Sequence, residues 1–334
     1  MQPKRALIVG IDHYSRMPLT GCVADAQEMA ALLRRNSDGS KNYDVHLVVS
    51  EKGKPRISRQ ELRGLLRKKL FDESKGMHLL FYFSGHGARS SWGSELVLQD
   101  YPTTHDGVSV DDLITLANAS PAVEVVIILD CCFGGETGDL KGIQADGIAD
   151  EFRFGRAVLR EGVTILTASR PAEVSMEEEG HGVFTKLLLE GLEGGAADNF
   201  GNVTALRLYD FASRAFNSFE QRPMLKSHVV SPSLLRTCPS AITRETFQSI
   251  LEHFPDPNSK VRLSKKHEGT RPIPRGVRPT PEQLAFDCFK ELRNTGLLAT
   301  EDNLDLYYVA MKSKHVFLTP RGQYFWRLAQ KDRG

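Results

Sequence analysis

The sequence predicts an α/β protein with a mostly parallel sheet and helices on both faces, and three observations carry that expectation. Strand and helix patterns alternate along residues 5–236, as they do when crossover helices connect parallel strands. Two of the strands, within Met77–Ser84 and Val125–Asp130, are nearly continuous apolar runs, which suits strands covered on both faces. Both runs end in reactive residues: His86 lies between Gly85 and Gly87, and Asp130-Cys131-Cys132 precedes Gly134-Gly135. Ligand crevices of open α/β sheets lie beyond the carboxyl ends of the strands, so these two ends mark the expected site.

Taken in order, the first strand is Arg5–Ile11, followed by a helix from about Ala24 to Arg35, a strand Tyr43–Val49 and a helix from about Ser58 to Phe71. After the strand that ends at His86 comes a hairpin-like piece, Glu95–Gln99, and a helix opened by Asp111 and Asp112, where acid suits the positive end of the helix dipole. The cysteine-bearing strand leads into a polar loop, then a strand Val163–Thr167, a helix near Val183–Leu192 and another near Ala205–Phe216.

Bulk properties narrow the function. The chain has 334 residues, 40% hydrophobic and 25% charged, with a formal net charge of +1. That is a globular composition without the basic excess of a nucleic-acid binder, so nucleic acid is not an expected partner. No run approaches the length of a membrane span. The five cysteines, Cys22, Cys131, Cys132, Cys238 and Cys288, are odd in number and lack paired metal-type spacing, and no apolar signal region follows Met1. A reducing, cytoplasmic location is expected.

The chemistry at the two strand ends points to a cysteine nucleophile. A thiol attacks as its thiolate and therefore needs a base or a lowered pKa, and an imidazole supplies either. Residues i and i+2 of a strand share a face, so Asp130 and Cys132 point to one side and Cys131 toward the core. The glycines beside His86 allow a substrate backbone to approach closely.

These motifs resemble the His-Gly and Asp-x-Cys-x-x-Gly signatures of metacaspases and other caspase-like (clan CD, C14-type) cysteine peptidases. The spacing agrees: Cys132 follows His86 by 46 residues, near the separation of about 50 in caspases. The resemblance continues through Ala168-Ser169-Arg170 and His181–Thr185 and covers roughly the first two thirds of the chain. It implies a caspase-like fold, Cys132 as nucleophile, His86 as general base and acid, and backbone amides near Gly87 and Cys132 as oxyanion donors. It also implies a P1 pocket. Gly21-Cys22-Val23-Ala24-Asp25 is similar to the family's Gly-Cys-x-Asn-Asp motif, with Ala24 departing from the asparagine, and its aspartate joins Asp130 in binding a basic P1 side chain. Each carboxylate also has a structural reading, Asp25 in the first turn of a helix and Asp130 as a cap on backbone amides. Asp100, Asp111, Asp112 and Asp139 fall near positions where several metacaspases hold an activating calcium ion, a cation that takes oxygen ligands; Asp111 and Asp112 equally suit a helix start. No other cofactor is expected.

The loop from Glu136 to Arg160 is glycine-rich and polar, and Lys141, Arg153 and Arg156 within it are candidate self-cleavage sites. The peptidase domain is expected over residues 1–236. Composition then changes: Ser259–Glu282 holds seven basic residues against two acidic ones, with Pro272, Pro274, Pro279 and Pro281, so residues 237–280 read as a basic linker. Residues 281–334 read as a small α+β module, reminiscent of a winged helix. Its expected parts are an amphipathic helix from Pro281 to Arg293, strands Leu306–Val309 and Val316–Leu318, and a last helix near Gln323–Gln330, with Tyr324, Phe325 and Trp326 in its core.

The expected activity is that of an endopeptidase cutting proteins after Arg or Lys. Its partners would be protein substrates and an upstream protease or regulatory protein, with no membrane. A catalytically silent scaffold acting through the C-terminal module is the alternative, against which the intact His86 and Cys132 argue. A preference for Asp or Asn at P1 is disfavoured by the two carboxylates. The family implies a setting in regulated cell death or defence.

Overall fold

A computed structural model describes residues 2–90, 93–101, 107–131, 158–168, 177–178, 181–216, 223–269, 273 and 275–332. The chain divides into two compact units, one formed by Met1–Ala197 with Asn202–Pro239 and the other by Asp198–Gly201 with Ser240–Gly334.

The first unit begins with β1 (Lys4–Gly10), α1 (Cys22–Arg34), β2 (Asp44–Val49), α2 (Arg59–Leu65, continued by a π-helical turn Leu66–Phe71) and β3 (His78–Ser84). Three short strands follow, β4 (Gly87–Ser90), β5 (Gly93–Leu96) and β6 (Val108–Ser109), then α3 (Val110–Ala119) and β7 (Glu124–Asp130). Next come β8 (Val163–Thr167), a small ladder of β9 (Glu177–Glu178) with β10 (His181–Gly182), and α4 (Val183–Glu190). The unit closes with β11 (Asn202–Thr204), α5 (Ala205–Ala215), β12 (Met224–His228) and β13 (Leu234–Thr237).

The main sheet runs β12-β8-β7-β3-β1-β2. Every pair in it is parallel except β12 on β8. Side-chain alternation explains the continuous apolar runs. Leu7, Val9, Leu79, Phe81, Phe83, Val125, Ile127 and Leu129 enter one core with Leu62, Leu66 and Leu113 of the α2 and α3 face. Ala6, Ile8, Leu80, Tyr82, Val126 and Ile128 enter the other with Met29, Leu33, Phe184, Leu188 and Leu208 of the α1, α4 and α5 face. A strand buried on both sides has no position for an alternating polar residue. The chain passes from β1 to β2 on one side and returns to β3 on the other, which puts a topological switch point, and hence a crevice, at the carboxyl ends of β1 and β3.

The second unit contains α6 (Arg244–His253), β14 (Lys260–Arg262), α7 (Lys265–Glu268), α8 (Pro281–Asn294), β15 (Leu298–Thr300), α9 (Leu306–Met311), β16 (His315–Leu318) and α10 (Pro320–Asp332). Its sheet is antiparallel in the order β14-β16-β15. Three differences from the sequence reading have physical causes. Residues 237–280, read as a linker, contain α6 and β14, and Ile242, Phe247, Ile250, Phe254 and Leu263 are buried in the unit's core; average composition hid apolar residues spaced at helical intervals. Leu306–Val309, read as a strand, is helical. Asp305 caps it by accepting from the Tyr307 amide at 2.9 Å, and Leu306, Val309 and Ala310 are buried at i, i+3 and i+4, the helical spacing. Of the three aromatics near the end, Phe325 is buried and Trp326 donates its indole N–H to the Phe254 carbonyl at 2.7 Å, whereas Tyr324 is 53% exposed.

Candidate active site

The described candidate residues gather at the carboxyl ends of β1, β3 and β7. Past β1, Ile11 extends the ladder by donating to the Ser84 carbonyl at 3.0 Å, and Asp12 then turns the chain. The amides of Asp12 and His13 donate to Ser50 Oγ at 2.9 and 3.1 Å, and the Asp12 carbonyl accepts from the Leu19 amide at 2.9 Å. The Asp12 carboxylate accepts from the Cys22 and Val23 amides at 2.8 and 3.3 Å. It thereby caps α1, whose own N-cap, Gly21, has no side chain to do so. A β-carbon on Gly10 would lie 2.3 Å from the Cys22 carbonyl oxygen and 2.6 Å from Ala26 Cβ. Glycine is what allows α1 to sit this close to the end of β1.

That approach places Asp25 beside β3. Its carboxylate, 1% exposed, accepts from Ser84 Oγ at 3.2 Å and from the Gly182 amide at 3.4 Å. Ser84 is in turn the cross-strand neighbour of Asp130. Asp130, 2% exposed, accepts from Thr185 Oγ1 at 2.6 Å. A hydroxyl has one proton to give, so the 2.7 Å contact between Thr185 Oγ1 and Tyr82 is donated by the phenol. Burial and then the fields of Asp25 and Asp130 push the Tyr82 phenol well above its usual range, keeping it protonated. The two candidate pocket carboxylates therefore lie on one face of the sheet, joined through Ser84, Thr185 and Tyr82.

The other residues fall as follows. His86 follows β3 and is half-buried; its Nε2 donates to the Met17 carbonyl at 2.7 Å. Because a carbonyl only accepts, the neutral ring carries its proton on Nε2 and presents the Nδ1 lone pair. Burial pulls the imidazole pKa below its ordinary 6.5, with the Met17 hydrogen bond acting in the opposite sense. Gly87 opens β4 opposite Leu96. The Val97 amide donates to the His86 carbonyl at 2.9 Å, which by antiparallel alternation makes Gly87 and Leu96 a non-hydrogen-bonded pair. The Gly87 amide therefore points away from β5, as an oxyanion donor must. Cys131 is 1% exposed and packs in the core with Leu129. Cys132, Asp139, Lys141, Arg153 and Arg156 lie outside the described residues. The Cys22 thiol, beside Asp12, Asp25 and Asp130, is pushed above its usual range, chiefly by burial, and stays protonated.

Two of the acidic residues considered for calcium, Asp100 and Asp112, have other partners. Both oxygens of Asp100 accept from the Arg59 amide at 3.2 and 3.1 Å at the start of α2, and Asp112 pairs with Arg63 at 2.9 Å. Asp111 lies in the first turn of α3. No group of three or more His, Cys, Asp or Glu side chains suited to a metal ion occurs among the described residues. Met17 and Tyr14 escaped the sequence reading, which covered Ser84 and Thr185 without giving them a role; the Gly-Ile-Asp-His-Tyr run directly after a buried strand was the one signal available for Tyr14.

A mostly parallel sheet thus sets His86 and the Asp130-Cys131 end of β7 at the carboxyl ends of two adjacent strands. The sequence matches the caspase domain of peptidase family C14 over residues 3–234, and the chain belongs to this family of cysteine peptidases. Among curated proteins no match was found. Two solved structures to which it is similar are Caspase-1 from Spodoptera frugiperda and pro-sf-caspase-1. The first is 17% identical with a TM-score of 0.49, covering 72% of this chain and 92% of that one. The second is 15% identical with a TM-score of 0.45, covering 71% and 94%. No helix among the described residues is long and apolar enough to cross a membrane.

Proposed function

We propose that the protein is an endopeptidase that cleaves after Arg or Lys through Cys132 and His86. The observation that carries the basic preference is the pair of buried carboxylates, Asp25 and Asp130, on one sheet face beside Ser84. A guanidinium or ammonium is the side chain whose charge complements them, and an acidic P1 would meet repulsion. In this mechanism His86 takes the thiol proton of Cys132 at Nδ1, while Met17 holds Nε2. The thiolate attacks the scissile carbonyl, and the oxyanion is met by the Gly87 amide and that of Cys132. The amine leaves with the proton from His86, a thioester remains, and water activated by the same imidazole hydrolyses it.

The test is cleavage of matched fluorogenic peptides with Arg, Lys, Asp or Asn at P1, with and without calcium and before and after limited proteolysis. Cutting after Arg or Lys that disappears in Cys132→Ala and survives in Cys131→Ala is expected. A loss of the Arg preference in Asp25→Asn and Asp130→Asn, with His86 chemistry retained, is the matching result for the pocket. If no peptide is cut under any condition, the catalytic reading fails and a binding scaffold takes its place.

A further inference from the structure

Tyr14 carries a phenol that the chemistry above does not use, yet it sits where three strand ends meet. Its side chain is 9% exposed. The hydroxyl accepts from the His86 backbone amide at 3.0 Å and donates to the Val97 carbonyl at 3.1 Å. Its ring packs against the imidazole, with centroids 4.6 Å apart and planes inclined by 52°.

The ladder between β4 and β5 shows what this hydroxyl does. Gly87 pairs with Leu96, so His86 and Val97 occupy the next pair. The Val97 amide donates to the His86 carbonyl at 2.9 Å. In an antiparallel ladder such a pair exchanges two bonds, the second running from the His86 amide to the Val97 carbonyl. Here the Tyr14 oxygen is inserted between those two groups, accepting from one and donating to the other. One tyrosine hydroxyl has the one proton and the lone pairs that both bonds require. Gly85 makes the space for it, since a β-carbon there would lie 2.5 Å from the Tyr14 oxygen. Burial, opposed by the His86 amide bond and reinforced by nearby Cys22, Cys131 and Asp12, holds the phenol protonated, so the donated bond persists across the working pH range.

We propose that Tyr14 is a positioning residue for peptide cleavage: its hydroxyl, wedged into the β4–β5 ladder, turns His86 out of the sheet and fixes the imidazole with Nε2 on the Met17 carbonyl. The proposal rests on His86 as the base. Without the wedge the ladder closes by one pair, His86 is drawn toward β5, and the imidazole leaves the Met17 carbonyl.

Tyr14→Phe keeps the ring and removes the inserted oxygen. The expected result is a fall in kcat of about tenfold or more, with KM within about twofold. Imidazole nitrogen NMR in the Cys132→Ala background supplies a readout independent of turnover. The parent should show a single Nε2–H tautomer for His86, and the added Tyr14→Phe change a mixture of tautomers. In the unsubstituted protein, the His86 amide should exchange slowly with solvent, as a donor to a buried phenol does. A folded Tyr14→Phe protein with unchanged kcat and an unchanged tautomer would overturn the proposal, as would fast exchange of that amide in the wild type. If the wild type cleaves no peptide, the assignment of His86 as base falls, while the tautomer and exchange measurements still decide whether Tyr14 holds the imidazole.

Discussion

His86 illustrates how burial and a single hydrogen bond set the working form of a side chain. Its pKa lies below 6.5 because partial burial disfavours the imidazolium. The neutral, base-competent ring therefore persists at and below that pH, and the acid limb of kcat/KM is expected below pH 6.5, not above it. Stability follows the same linkage. The folded-state pKa is below the unfolded value, so the unfolded chain binds the proton more readily. The contribution is present above the unfolded value of 6.5 and is lost as pH falls through the folded pKa. Urea-midpoint measurements across this window, in wild type and His86→Phe, should show a steeper acid-side loss in the wild type. Equal slopes would remove the assignment of a depressed pKa. His86, set between Gly85 and Gly87, and the Asp130-Cys131-Cys132 run ahead of Gly134-Gly135 stand out locally in the sequence. Met17 does not, since it acts through a backbone carbonyl that any residue possesses.

At the level of elements, the proposed P1 pocket depends on how closely α1 lies to β1. Gly10→Ala places a methyl 2.3 Å from the Cys22 carbonyl oxygen, and the helix must move for it to fit. Overpacking of this kind typically costs about 1–3 kcal/mol. The shift also carries Asp25 away from Ser84, so the variant should show a lowered urea midpoint together with a raised KM for Arg peptides and a smaller change in kcat. A stability loss with unaltered KM would mean that α1 does not place the pocket. The run of strands and helices around the site followed from periodicity, but α9 did not. Leu306–Val309 is short and apolar, and over four residues a strand and a buried helical turn present the same pattern. Its Asp305 cap is the local feature that distinguishes them.

For the whole molecule, the two units have separate hydrophobic cores, and their substitutions should separate as well. Phe286 and Phe289 are fully buried in the second core, and Phe286→Ala is expected to destabilise that unit by about 3–5 kcal/mol. Calorimetry should show the loss confined to one transition, with the active-site readouts of His86 retained; equal loss in both transitions would show that the units unfold together. Unit boundaries were only partly visible in the sequence. The change in composition after Arg236 falls near Pro239, where the first unit ends, yet the second unit also takes in Asp198–Gly201. There Phe200 stacks on Phe325 at 5.4 Å and meets Phe247 edge-on at 5.0 Å. No pattern in a four-residue stretch far from its partners announces such packing.

What the sequence determined by itself was the two-faced sheet and the family to which the chain belongs. Those are written in local order: apolar periodicity over five to eight residues, and His-Gly and Asp-Cys-Cys runs with glycines close by where the apolar runs stop. Tertiary structure alone decided that Asp25 and Asp130 share a buried face through Ser84 and Thr185, that the Met17 carbonyl fixes the histidine tautomer, and that the Tyr14 hydroxyl opens a ladder two strands away. Each of these joins groups distant along the chain, several of them backbone atoms common to every residue. Their roles arise from where folding brings them, which side-chain identity does not encode locally.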